Sequence, residues 1–467
     1  RRQRQMCIRD RTRGSAGTRV NSSGLVETVE LVGSEEVPSI ASIVNIGGGT
    51  ITQISGNSYS SASDGTTGSA VRPKFDFATS AGKRYKLTIT PTGTISGTVN
   101  FDFYDGSSYL FQNYDFTTTK EIYFIDNGSV FGAFDGTQTY DVSSFTVSVK
   151  EATIDNLPRV DYTDGTSSLL VEPQRTNLIN YSEAITQANG YSPSSVTFAS
   201  NQGTTPMGTN NATKLTSTGA DPFIQYVVPN TNATFTLSVY AKGVGSSVGK
   251  DINFFLIRDN YAEAAQSSQF TLTNEWVRYT ATLSLSTNPT TQVIYRIDAP
   301  SVGVAGDEVL IWGAQLEAGS YPTSYIKTSG STVTRVQETY TKTGISNLIN
   351  SEEGVLFVEL SALANDGTFR VISLSDGTSS NRLWLYFTVG SNLIQVFDGT
   401  TIIAYTIVVT NMIKVAVVYD SNGSRMWVNG LQVGSNSYVG FSGFDRLNFD
   451  DGAGGNKFFG KVKQLQV

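Results

Sequence analysis

Ile413-Lys414-Val415-Ala416-Val417-Val418-Tyr419, then Asp420-Ser421-Asn422-Gly423, then Ser424-Arg425-Met426-Trp427-Val428-Asn429-Gly430 is the stretch that decides the fold. Apolar and polar residues alternate on both sides of Asn422-Gly423, and a period of two belongs to a strand with one buried face. Asn-Gly between two such runs predicts a hairpin, because a two-residue primed turn needs positive φ at both central positions. Asn429-Gly430 closes the second strand with the same turn signal.

The same alternation continues outward from this hairpin. Toward the carboxyl end it appears in Gly354–Leu360, Asn381–Phe387 and Asn392–Phe397; in the middle, in Phe235–Val239, Phe254–Leu256, Val293–Ile297 and Asp307–Glu317; earlier, in Arg84–Thr90, Phe101–Phe103 and Phe145–Val149. Gly and Asp turns separate these short runs and no helical period intervenes, so the reading is all-β, with tandem β-sandwiches of jelly-roll type. A chain of 467 residues exceeds one hydrophobic core, since cores stop growing at about 250–300 residues. The expected division is a leader at 1–32, a sandwich at 33–152, a linker at 153–175, a second sandwich at 176–328, a linker at 329–344 and a third sandwich at 345–467.

Composition excludes several functions. The chain has no histidine, which removes the usual general base, the commonest zinc ligand and the middle member of most nucleophilic triads. Its one cysteine, Cys7, has no partner for an internal disulfide. A net charge of -7 argues against a nucleic-acid surface, which needs clustered Lys and Arg. No apolar run reaches the roughly 18 residues of a membrane span. Seven arginines fall in the first nineteen residues without strand or helix period. That segment resembles a translated sequencing adapter at the end of a metagenomic reading frame and is set aside from the fold.

Candidate site residues follow from residue chemistry. Tyr104, Tyr109 and Tyr114 form a candidate sugar-stacking platform, set against the ordinary burial of aromatics at strand spacing. No cofactor is expected, with calcium left open: Asp307, Asp376 and Asp450 offer hard oxygen donors near a strand start or in loops, though in no EF-hand spacing. No catalytic residue is assigned. A glycosidase would need two carboxylates about 5–9 Å apart, for which Glu172 and Glu183 are the pair considered.

The run Leu169–Glu183 (LLVEPQRTNLINYSE), the strand Phe235–Lys242, Trp312-Gly313-Ala314-Gln315-Leu316-Glu317, and Tyr325-Ile326 followed by Ser331-Thr332-Val333-Thr334-Arg335 together resemble the signature of a family of bacteriophage tail-fibre and virion-associated proteins. Arg19–Val29 and Pro158–Tyr162 resemble its leader, with residues 33–152 inserted between them. The resemblance implies a carbohydrate-binding-module-like jelly roll followed by a concanavalin A-like, laminin-G-type sandwich, whose hairpin carries Trp427, Asn429 and Gly430. It also implies a non-catalytic structural role in a virion tail, contacts with other tail proteins, recognition of host-surface glycans and a homo-oligomer of trimeric type. The alternatives are a bacterial surface or secreted adhesin or lectin and, third, a glycoside-degrading enzyme. Among the motif residues, Arg175 is expected to pair with Glu172 and orient the linker, and Trp312 to lie in the core.

Overall fold

The computed structural model describes residues 11–12, 17–35, 40–63, 72–136, 139–153, 157–300, 303–388, 390, 392–399 and 402–467, with backbone alone at 11–12, 31–35, 111, 113 and 114. Cys7 lies outside them. Among these residues the secondary structure is strand throughout, apart from two single 3-10 turns at Gln187–Asn189 and Gly245–Ser247. No helix is long and apolar enough to cross a membrane. The chain is a set of tandem β-sandwiches divided between two compact units, one of Glu30–Leu157 and one joining residues up to Val29 with Pro158–Val467.

In the Glu30–Leu157 unit, one sheet orders the strands Lys120–Ile125, Arg84–Pro91, Asp141–Thr153, Ser58–Ala62 and Thr50–Ser55. The facing sheet orders Tyr109–Asp115, Val99–Tyr104, Phe131–Gly136, Lys74–Phe77 and Ile40–Val44. Strict alternation sends Tyr85, Leu87 and Ile89 inward from one sheet and Phe75, Phe101 and Phe134 inward from the other, all of them buried. Phenyl rings fill the gap edge to face: Phe134 lies 5.0 Å from both Phe116 and Phe145, at 76° and 65°. Such contacts add about 0.5–1.5 kcal/mol each beyond area burial. Gly132 is required by this packing, because a Cβ there would meet the Phe101 ring at 2.7 Å.

The other unit holds two sandwiches. The first pairs the sheet Ser192–Ser194, Phe223–Val228, Val293–Asp298, Asp251–Arg258, Glu263–Gln266 with the sheet Val196–Ala199, Thr213–Ser217, Glu308–Ala318, Thr234–Val244, Val277–Ser284. In the second, the outer sheet runs Thr339–Lys342, Arg446–Asn448, Arg370–Ser375, Arg382–Phe387, Leu393–Phe397, Ile402–Thr406. Its partner sheet runs Arg159–Asp161, Ser168–Val171, Gly460–Gln466, Gly354–Ala362, Ile413–Asp420, Gly423–Val428, Leu431–Ser435. The stretches read as linkers therefore carry strands of the last sandwich: Leu170 pairs with Lys461 across the sheet, and Lys342 pairs with Leu447.

The deciding hairpin forms with a shifted turn. Asp420 pairs with Gly423, so Ser421 and Asn422 are the central residues and only Gly423 is left-handed, at φ 102°. Asp420 Oδ1 accepts the Asn422 N–H at 2.7 Å, which favours an ordinary turn with glycine in its last position. The primed geometry occurs instead at Asn429 and Gly430, with φ 50° and 88° and Val428 paired to Leu431. Asn429 also clasps Lys414, donating its N–H to the carbonyl at 2.8 Å and accepting the Lys414 N–H on its side chain at 2.9 Å.

Between the two sandwiches of this unit lies a cluster of buried charges. Arg159 donates to Glu338 through Nε at 2.8 Å and Nη2 at 2.5 Å, and through Nη1 to Glu172 at 2.6 Å, to Ser324 Oγ at 2.6 Å and to the Thr18 carbonyl at 3.1 Å. Arg335 reaches Glu172 at 3.0 Å and the Ser324 hydroxyl at 2.8 Å. All four charged side chains are buried. Burial alone would raise the Glu172 carboxyl, but the charges of Arg335 and Arg159, with hydrogen bonds from Ser324 and Arg159, outweigh it and bring it from 4.5 to about 2. The expected pair of Arg175 with Glu172 does not form. Arg175 stacks on Tyr321 at 5.0 Å and donates to the Gln174 carbonyl, because the two buried arginines already occupy the carboxylate.

Removing one member of a buried ion cluster strands its partners and costs about 3–5 kcal/mol, so Glu172→Gln is expected to lower the unfolding free energy of this unit by that much at pH 7, read from urea titration. Since the folded carboxyl sits below its unfolded value, its contribution is whole above about 4.5 and is lost as pH falls toward about 2. Urea titrations from pH 6 to pH 2 should show the wild-type chain losing stability across that window more steeply than Glu172→Gln.

Candidate functional site: an aromatic and charged sheet face

The outward face of the sheet built on Val99–Tyr104 collects the groups expected of a ligand platform. Its first strand turns back through Asp105-Gly106-Ser107-Ser108, where Asp105 Oδ1 accepts the N–H groups of Ser107 and Ser108, each at 2.9 Å, and Gly106 takes φ 98°. That turn sets Tyr104 opposite Tyr109. On the other flank, Tyr104 pairs with Phe131. The three rings touch: Tyr104 stacks on Phe131 at 5.0 Å, and Tyr109 meets Tyr104 edge-on at 5.5 Å and Phe131 at 6.1 Å. Tyr109 is 41% exposed, whereas the inward phenylalanines of the same strands are fully buried.

Charges border the rings. Arg72 binds Asp135 at 2.7 Å and Asp102 at 3.2 Å, and Asp102 is wholly buried beneath it. The hydrogen bond that Arg72 donates to Asp135, partly opposed by burial, raises the Arg72 guanidinium above the ordinary arginine value, and the charges of Asp102 and Asp135 add to the rise. Lys74 lies 5.2 Å from the centre of the Phe131 ring, and Asp76 accepts from Ser42 at 2.6 Å. A plane of ring carbons flanked by fixed donors and acceptors suits a ligand with an apolar face and a polar rim.

Of the three tyrosines singled out in the sequence, Tyr104 and Tyr109 are brought together, and the Tyr114 side chain lies outside the described residues. Phe131, Arg72, Lys74, Asp102 and Asp135 escaped the sequence reading. The available signal was the alternation of Lys74-Phe75-Asp76-Phe77 and of Phe131–Asp135, which places Lys74, Phe131 and Asp135 on one face once Phe75 and Phe134 are assigned to the core.

The acidic trio proposed for calcium is not a set. Asp307 is held by Lys250, by Ser246 at 2.9 Å and by the Val304 N–H at 2.8 Å. Asp376 caps its own turn through the Thr378 N–H at 2.8 Å and hydroxyl at 2.7 Å. Asp450 accepts the Gly452 N–H at 2.7 Å. Among the described residues no group of three His, Cys, Asp or Glu is placed to hold a metal ion. Nor do Glu172 and Glu183 face each other across a cleft: Glu172 belongs to the buried cluster, and Glu183 pairs with Lys327 at 2.9 Å.

The motif residues hold the fold together. Trp312 is fully buried against Tyr325 at 4.7 Å and Tyr240 at 5.4 Å. Gly313 follows at φ 67°, at a bulge where a Cβ would press on the Tyr240 ring at 3.1 Å. Gln315 then accepts the Ile326 N–H at 2.7 Å and Glu317 the Thr323 N–H at 3.1 Å, so this strand clasps the returning segment Tyr321–Ile326. Trp427 is half-buried on its strand, between Ala416 and Gln432.

No family model matches the chain, and no curated protein matches it. Solved structures that align with it include the CBM22-1 xylan-binding domain of Paenibacillus barcinonensis Xyn10C, at 16% identity over 33% of this chain and 94% of that one, with a TM-score of 0.23. The CBM22-1-CBM22-2 tandem of the same protein aligns at 9% identity over 62% and 98%, with a TM-score of 0.24. A carbohydrate-binding module from Cellvibrio mixtus lichenase 5A, in complex with cellotriose, aligns at 12% identity over 32% and 99%, with a TM-score of 0.21. TM-scores this low carry nothing about the ligand or activity of the present chain.

Because Tyr109 is substantially exposed and contributes mainly ring contacts, Tyr109→Ala is expected to cost no more than about 0.5–1.5 kcal/mol. Urea unfolding of the variant chain checks this and validates the substitution as a probe of binding.

Proposed function

We propose that the chain is a non-catalytic, carbohydrate-binding adhesive protein, with the Tyr104–Tyr109–Phe131 face as a glycan platform. The observation that carries the reading is the exposed Tyr109 ring set against Tyr104 and Phe131, with the Arg72–Asp135–Asp102 cluster alongside. A pyranose ring presents C–H groups on one face and hydroxyls around its rim. The aromatic cluster offers the first a surface, and the Asp135 carboxylate and the Arg72 guanidinium offer the second an acceptor and donors. Two cations, Arg72 and Lys74, stand against three carboxylates, Asp76, Asp102 and Asp135, so the balance favours an uncharged sugar over an acidic one.

Hydrolysis would ask for one carboxyl acting as acid and another as base or nucleophile. Asp102 and Asp135 are instead both engaged by Arg72, a positioning arrangement. The tail-fibre setting, the trimer and the virion location rest on the sequence resemblance alone, and a bacterial surface or secreted adhesin fits the same platform.

The test is an array of neutral and acidic oligosaccharides probed with the full chain and with Tyr109→Ala. Neutral glycans should bind the wild-type chain, and the variant should lose at least about tenfold in affinity, equal to about 1.4 kcal/mol. Equal binding by the variant, preference for acidic glycans, or release of new reducing ends would each overturn the proposal.

A further inference from the structure

The sandwich that follows residue 175 carries a second outward face unlike the rest of its surface. Alternation sends Ile224, Phe254, Leu256, Tyr295 and Ile297 into the core and leaves Phe223, Gln225, Asn253, Phe255, Arg296 and Asp298 on the other side. Gln225, Arg296, Phe255 and Gln266 are successive partners across four strands, so they form one row. Within it the Arg296 guanidinium lies 3.7 Å from the Phe223 ring centre and 4.8 Å from that of Phe255, and it grips Asp298 with two hydrogen bonds of 2.6 and 2.9 Å. A cation laid against two phenyl rings and neutralised by a bidentate carboxylate is a flat, stiff surface.

A strained loop stands beside this row. Asp259, Asn260 and Tyr261 are all left-handed, at φ 37°, 51° and 69°. Asp and Asn tolerate that region, but an aromatic residue adopts it only when its surroundings compel it, and such residues gather at ligand clamps. The compulsion comes from the Asp259 carboxylate, which accepts the N–H groups of Thr290, Thr291 and Gln292. Those bonds pull the carboxyl well below the ordinary aspartate range. The result is a Tyr261 ring 54% exposed yet fixed, its hydroxyl donating to Gln225 Oε1 at 2.6 Å. On the same face, beside Asp298, the buried Asn253 Oδ1 has no hydrogen-bond partner among the described residues. A buried acceptor of that kind calls for a hydroxyl or water nearby.

We infer that this face is a second saccharide site, in which Phe255 and the Phe223–Arg296 stack underlie an uncharged pyranose, Tyr261 forms a side wall, and the Gln225 and Gln266 amides bond its hydroxyls. The charges decide the ligand class. Arg296 is paired with Asp298, and Arg258 with Glu263 at 3.3 Å, so the groups not held in an ion pair are amides and a phenol. An acidic ligand would have to displace Asp298 from Arg296. The site shares its ligand class with the Tyr104–Tyr109 platform but none of its residues, so either can fail alone.

The experiment is isothermal titration calorimetry of the full chain with cellohexaose, xylohexaose and mannohexaose, and with hexagalacturonate as the acidic control. It compares the wild type with Tyr109→Ala, Tyr109→Ala/Gln225→Ala and Tyr109→Ala/Tyr261→Ala. Gln225 and Tyr261 are solvent-facing, and thermal melts confirm that each variant is folded. At least one neutral hexasaccharide is expected to bind Tyr109→Ala at one site, and either added substitution should weaken it tenfold or more. Complete loss of binding in Tyr109→Ala leaves the first platform standing and overturns this one. Unchanged affinity on adding Gln225→Ala and Tyr261→Ala, or preference for hexagalacturonate, also overturns it. Binding unaffected by Tyr109→Ala but abolished by Gln225→Ala supports this site against the first, and absence of binding to every neutral sugar by the wild type overturns both.

Discussion

Arg159 is buried with no exposed guanidinium surface, and its charge is met by two carboxylates drawn from distant parts of the chain. Moving a guanidinium out of water costs several kcal/mol, and only close, well-directed partners offset that. Glu338 supplies a two-point grip, Glu172 a third bond, and Ser324 and the Thr18 carbonyl the rest. Those partners come from the leader, the segment before the first sandwich of this unit, the end of that sandwich and the segment leading into the next. If any of these pieces were misplaced, a charge would be left buried and uncompensated. The cluster therefore acts less as a source of net stability than as a condition that the surrounding segments must meet together.

That condition explains the order of the chain in this unit. Strands Arg159–Asp161 and Ser168–Val171 join the sheet of the last sandwich although a whole sandwich intervenes in sequence. Glu172 follows the second of these strands directly, and Glu338 precedes Thr339–Lys342, a strand of the facing sheet. The Glu172 and Glu338 backbones also bond to each other's groups, at 3.1 Å in both directions. Residues read as linkers thus carry buried charges and strands of the last sandwich. The leader hairpin is tied in by the same means: Val20 donates its N–H to Asp161, and Val26 packs with Trp312, Tyr240 and Tyr325.

Both proposed platforms arise from one property of a sheet. Neighbouring residues point to opposite sides, so the demand for a packed core on one face leaves the other free for chemistry. In the Glu30–Leu157 unit the core is rich in phenylalanine, and the opposite positions carry Tyr104, Phe131, Asp102, Asp135 and Lys74. In the sandwich after residue 175 the opposite positions carry Phe223, Gln225, Phe255 and Arg296. The two faces differ in what stiffens them. The first is organised by a tight Asp105 turn and ring contacts, the second by a guanidinium stack and a left-handed loop.

Period-two patterning alone was enough to establish that the chain is all-β and built as tandem sandwiches, because burial of one sheet face imposes that period locally and leaves it visible in runs such as Ile413–Tyr419. It also brought Tyr104 and Tyr109 near each other, since one short turn joins their strands. Tertiary structure alone decided where Glu172 finds its partners. Arg159 and Arg335 lie thirteen and 163 positions away, and nothing local distinguishes them from the adjacent Arg175, which stacks on Tyr321 instead. It also scattered Asp307, Asp376 and Asp450 among separate turns. The reason is common to all of these: alternation records which side of a strand faces the core, whereas charge pairing and ligand faces depend on which strands become neighbours, and that is settled only when the sheets close.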